Sequence, residues 1–93
     1  MEKVRTVSGT GDVTVSGEAI GHCAYEINVY KDEAGRVKGH GHVMGEEGIL
    51  GKMSSGQRIQ IAGSDHKPFA IMTGEWSPGA RMMEVETGPD ILN

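Results

Sequence analysis

Two histidines separated by a single glycine, His40 and His42, are the side chains whose type and spacing best suit them to chemistry. On a β-strand, residues two apart project from the same face, so the two imidazoles could converge on one divalent metal ion. The hairpin register argued below puts Glu26 opposite His42 and His22 near the same end of that face. Glu46 and Glu47 follow within one further turn. Mixed nitrogen and oxygen ligands would then lie within reach of each other, which suits a small metal-binding protein or a metal-dependent enzyme acting through His40, His42, Glu26 and Glu46. The plainer account is that His22, Glu26, His40 and His42 form the solvated face of a two-sided hairpin, flanked by Lys38 and Met44. A third is a pH-sensitive surface on which the two imidazoles repel each other once protonated.

The spacing His-X-His, three or four residues, then Glu resembles part of the first cupin motif, whose residues bind a metal inside a small barrel. The resemblance covers residues 40–47. Gly35 precedes His40 by one residue too few, no glycine falls at the expected distance after Glu46 or Glu47, and no histidine after His66 supplies a second-motif ligand. Ser64-Asp65-His66 contains the residue types of a hydrolytic triad, but adjacent side chains cannot form that relay and a polar loop is expected. Cys23 neighbours His22, yet strand neighbours point to opposite faces, and the series Cys23, Tyr25, Ile27, Val29 marks the thiol as core. Gly9-Thr10-Gly11 leads into a strand rather than a helix N-terminus, so it is not a phosphate cradle.

The elements that must position these residues are short strands. Fifteen glycines in 93 residues leave few windows long enough for an ordinary helix. Glu2 to Val7 reads as a first strand, residues 8–11 as a turn, and residues 12–16 as a second strand. From Ala19 to Lys31, Cys23, Tyr25, Ile27 and Val29 alternate with Ala24, Glu26, Asn28 and Tyr30. Asp32-Glu33-Ala34-Gly35 has turn chemistry that closes a hairpin with Asp32 opposite Arg36. Tyr30 then faces Lys38, Asn28 faces His40, Glu26 faces His42, Ala24 faces Met44 and Tyr25 faces Val43, while Ile27 and Val29 lie over Gly41 and Gly39. Residues 49–53 and 58–62 read as another hairpin. Residues 69–76 and 81–87 read as the last two strands, joined at Ser77-Pro78-Gly79-Ala80, with Met72 beside Val85. Residues 88–93 are a short C-terminal tail. The expected fold is all-β: a small antiparallel barrel or sandwich of about eight short strands, forming one domain over residues 1–93.

Thirteen acidic against nine dispersed basic residues give a net charge of −4, a poor field for a phosphate backbone or a membrane surface. No stretch approaches the roughly 20 apolar residues needed to span a bilayer, and a lone cysteine excludes an internal disulfide framework, so a cytoplasmic setting is expected. Both faces of the last two strands look apolar, because Phe69 and Ile71 alternate with Met72, and Met82 with Met83. Phe69, Ile71, Met82, Ile91 and Leu92 are therefore the expected interface of a homo-oligomer. The leading expectation is a non-enzymatic binding module that associates through its C-terminal strands, with no cofactor. A barrel holding an apolar small molecule among Tyr25, Met72, Trp76 and Met83 is a further alternative.

Overall fold

The computed structural model describes residues 2–63 and 67–92, and within them the hairpin centred on the Asp32 turn is the organising element. Its strands, β2 (Glu18–Lys31) and β3 (Val37–Met44), pair in the expected register, with Glu26 opposite His42 and Asn28 opposite His40. The turn is held by the Asp32 carboxylate. Its Oδ1 accepts the backbone N–H groups of Ala34 and Arg36, both at 2.9 Å, and its Oδ2 accepts Arg36 Nε at 2.8 Å. These bonds, led by the Arg36 N–H, hold the carboxyl below its ordinary pKa. Gly35 supplies the positive φ of 82° that the loop requires. Cys23, Tyr25, Ile27, Val29 and Val43 point inward and are buried, as the alternation demands.

Six strands close the barrel where eight were expected. Residues 8–11 do not turn: β1 runs unbroken from Glu2 to Val15, pairing with β2 along its length and, from Gly11 to Val15, also with β4 (Ile59–Gly63). Its glycines accommodate close approaches instead. A Cβ on Gly9 would stand 3.3 Å from the Tyr25 hydroxyl, and one on Gly11 only 2.8 Å from the Ala62 carbonyl oxygen. The chain reverses at Ser16 and Gly17, whose φ values of 52° and 84° suit a two-residue loop matched to strand twist.

Residues 49–53 are not a strand either. They belong to a helix, α1 (Glu47–Ser55), whose Leu50 and Met53 lie one turn apart and are fully buried in the core. Glu47 in its first turn and Lys52 in its last complement the helix dipole. Burial of that apolar pair outweighs the helix-weakening effect of Gly48 and Gly51.

Strands β5 (Phe69–Thr73) and β6 (Met82–Thr87) complete the antiparallel order β1-β2-β3-β6-β5-β4, which closes on itself. Their register differs by one residue from expectation: Thr73, not Met72, pairs with Val85, and Met72 pairs with Glu86. The cause is the connection. Strand pairing stops at Thr73 and resumes at Met82, so the Ser77–Ala80 turn sits within a longer loop and does not fix the register.

Where two apolar faces were expected, the inner face is apolar and the outer face is mixed. Phe69, Ile71, Met83 and Val85 face the interior; the outward positions are Ala70, Met72, Met82, Glu84 and Glu86. A 3-10 turn at Pro89–Leu92 carries Ile91 fully into the core and leaves Leu92 half-buried. Phe69, Ile71 and Ile91 are therefore covered by the barrel itself. Tyr25 and Met83 are likewise core residues, and the Tyr25 ring meets Phe69 edge-on at 5.4 Å. Met72 is 62% exposed on the outer wall, so it cannot line an interior cavity with them.

Candidate functional site

Because residues 39, 41 and 43 of β3 face inward, His40, His42 and Met44 form an outer column. Pairing on both sides extends each into a row across three strands. Asn28, His40 and Glu86 form one row, Glu26, His42 and Glu84 the next, and Ala24, Met44 and Met82 the third. Directly paired side chains in such rows have Cβ atoms about 5 Å apart. Both histidines therefore stand beside a glutamate of β6, and His42 has a second glutamate on β2.

Two inward glycines make that hairpin wall possible. A Cβ on Gly41 would collide with the Glu26 carbonyl oxygen, and one on Gly39 with the Thr87 hydroxyl. The His-Gly-His spacing thus follows first from close packing behind the histidines.

The loop between β5 and β6 turns the middle row into a concave site. Glu75, Trp76 and Met82 join His42 and Glu84 around a groove of about 290 Å³. Trp76 is fixed from two sides. Its Nε1–H donates to the Ala80 carbonyl at 2.9 Å, and its ring lies over α1, where a Cβ on Gly51 would stand 3.4 Å from Cη2. Gly74 N–H donates to the Glu84 carbonyl at 2.7 Å, tying the start of the loop to β6. The backbone holding both glutamates is therefore anchored, while their carboxylates are exposed.

The remaining candidates lie elsewhere. Glu46 is the residue before α1, in extended conformation, and its carbonyl accepts the N–H groups of Ile49 and Leu50, both at 3.1 Å. It is two residues past the end of β3 and outside the His40 and His42 rows. His22 pairs with Asp12 of β1 and borders a different groove. Among the described residues, no group of three or more His, Cys, Asp or Glu side chains is arranged to hold a metal ion. Cys23 is buried, which pushes its thiol up to about 11. Ser64-Asp65-His66 lies outside the described residues.

Sequence reasoning named His42, Trp76 and Met82, but assigned them to a metal site, an interior cavity and a subunit interface; the fold brings all three to one groove. It missed Glu75, Glu84 and Glu86. The alternation of residues 82–87 places Glu84 and Glu86 on one face, but only the pairing of β3 with β6, forty residues apart, sets them beside the histidines. Among the described residues, no helix is long and apolar enough to cross a membrane. Comparisons of the chain with protein-family models, with curated proteins and with solved structures give no match.

Proposed function

We propose that this protein is a small binding module that works through the outer wall of its barrel, and that the β3–β6 groove takes a basic side chain of a partner protein. The observation that carries this reading is the meeting of Trp76 with Glu75 and Glu84 in one concavity. A guanidinium or ammonium group over an indole face, with carboxylates at its edge, gains both cation–π and charge-assisted hydrogen-bond energy. Met82 offers a deformable apolar surface for the aliphatic stem of such a side chain. The net charge of −4 favours the approach of a cationic partner over a long range.

Agmatine, which carries a guanidinium and an amine but no carboxylate, is a suitable probe, and the single tryptophan of the chain is the reporter. Saturable change in Trp76 emission is expected, with a Kd on the order of 1 mM for so small a fragment. Glu75→Gln and Glu84→Gln should each weaken binding about twofold to fivefold, the range for one solvent-accessible charge pair of up to about 1 kcal/mol. An emission spectrum that ignores agmatine, or affinity unchanged in the double variant, would refute the assignment.

Self-association through the C-terminal strands retains one support, since Met82 is 50% exposed at the edge of this groove. In that case the basic side chain comes from a second copy. Light scattering would then show an oligomer at tens of micromolar that agmatine and Met82→Glu both dissociate.

A further inference from the structure

We propose that the groove at the opposite seam of the barrel, between β1 and β4, binds a small organic carboxylate with Arg58 as its anchor. In the closed order, this seam lies three strands from the β3–β6 groove in either direction, so the two sites are independent. The groove is about 360 Å³, and its lining includes Thr14, Ser16, Arg58, Gln60 and Ala70 without any acidic side chain.

Arg58 has a left-handed backbone, with φ at 52°; among the described residues, only Ser16 shares a positive φ without being glycine. The two are locked together. Ser16 N–H donates to the carbonyls of Gln57 at 3.0 Å and Arg58 at 3.3 Å, and Ser16 Oγ donates to Gln57 O at 3.0 Å. Glycine or asparagine would adopt this conformation at lower cost, so the backbone alone gives no reason for arginine here. Nor does a structural ion pair, since Arg58 makes none with the described residues. A residue held in a disfavoured conformation, whose side chain has no partner among the described residues, points to a task outside the fold.

The surroundings define the ligand. Thr14, Gln60 and Ala70 stand in one cross-strand row over β1, β4 and β5. The Thr14 hydroxyl and Gln60 amide add donors to the planar guanidinium fork, which matches the two oxygens of a carboxylate. The Thr14 and Ala70 methyl groups offer an apolar bed for a short hydrocarbon chain. Asp90, whose Oδ2 accepts the Ala70 N–H at 2.9 Å, belongs to the segment that continues β6, on the far side of β5 from Arg58.

Titration of the isotope-labelled protein with butyrate, acetate and inorganic phosphate, followed through backbone amide shifts, tests the proposal. The expected result is saturable shifts at Thr14, Gln60 and Ala70, with butyrate bound more tightly than acetate and phosphate the weakest. Arg58→Asn keeps a residue that tolerates the left-handed backbone but removes the fork, so it should weaken butyrate at least about tenfold while holding or raising the Tm. Absence of saturable shifts, tighter binding of phosphate than of butyrate, unchanged affinity in Arg58→Asn, or a lowered Tm in that variant would each overturn it. A lowered Tm would make Arg58 a structural residue.

Discussion

Thr87→Val should make this protein more stable, although Thr87 is buried at the end of β6. Its side chain is 3% exposed, points inward from β6, and pairs with Gly39 on one side and Ile71 on the other. Its hydroxyl has no hydrogen-bond partner among the described residues. Leaving a buried hydroxyl unpaired costs about 1–3 kcal/mol, whereas valine has nearly the same shape and gains a methyl in apolar surroundings. Overpacking opposes the gain, because the Thr87 hydroxyl already fills the space where a Gly39 Cβ would stand and a methyl there is slightly larger. We expect a net stabilisation of about 1–2 kcal/mol. For a domain of this size, each 1 kcal/mol shifts Tm by about 4–8 °C, so the rise should be at least about 4 °C. Urea unfolding should show a higher midpoint at an unchanged slope. Thr87→Ser, which keeps the hydroxyl and loses the methyl, should instead lower stability by about 1 kcal/mol. If valine destabilises, the hydroxyl must have a partner, such as a buried water, and the reasoning fails.

Gly48 lies in the first turn of α1, and a Cβ there would meet nothing within 4 Å. Gly48→Ala should therefore stabilise by about 0.5–1 kcal/mol, with destabilisation in chemical unfolding counting against the helix. The Cys23 thiol rises from 9.0 to about 11 on folding, by burial. Well below pH 9 it is neutral in both states and costs nothing; as pH climbs from 9 to 11 the unfolded thiol ionises first, so stability falls by up to about 3 kcal/mol. Urea midpoints across that range should drop less in Cys23→Ala than in the wild type, and parallel curves would show that the thiol ionises equally in both states.

What was legible in the sequence was what local chemistry decides. In the 23–44 hairpin, the Asp32 turn and the alternation of Tyr25, Ile27 and Val29 each imply the same register, so pairing down to Ala24 and Met44 could be read from residues close in sequence. The errors all come from glycines or loops whose meaning depends on distant partners. Gly9 and Gly11 look like a turn until Tyr25 and Ala62 are known to press against them. Residues 49–53 look like a strand until Leu50 and Met53 are seen to enter a core built by other elements. The groove was legible only in pieces for the same reason. His42 and Trp76 drew notice by residue type, but Glu84 became their neighbour only through barrel closure.

That closure also decides where function can reside. Eight strands give a barrel just wide enough for side chains or one small ligand, and six strands enclose less. Here the space is taken by Tyr25, Phe69 and Met83 from the wall, by Leu50 and Met53 from α1, and by Ile91 from the C-terminal turn. A ligand inside would have to displace residues that hold the fold together, with large-to-small changes there costing about 2–5 kcal/mol of a total near 5–15. The outer wall carries no such penalty. Its rows of Asn28, His40 and Glu86, and of Glu26, His42 and Glu84, can change composition while the inward glycines and aliphatic residues remain fixed. On the proposed reading, recognition and stability fall to opposite faces of the same strands. Substitutions at Glu84 or Glu75 should accordingly alter binding more than those at Val85 or Val43, which should act almost wholly through stability.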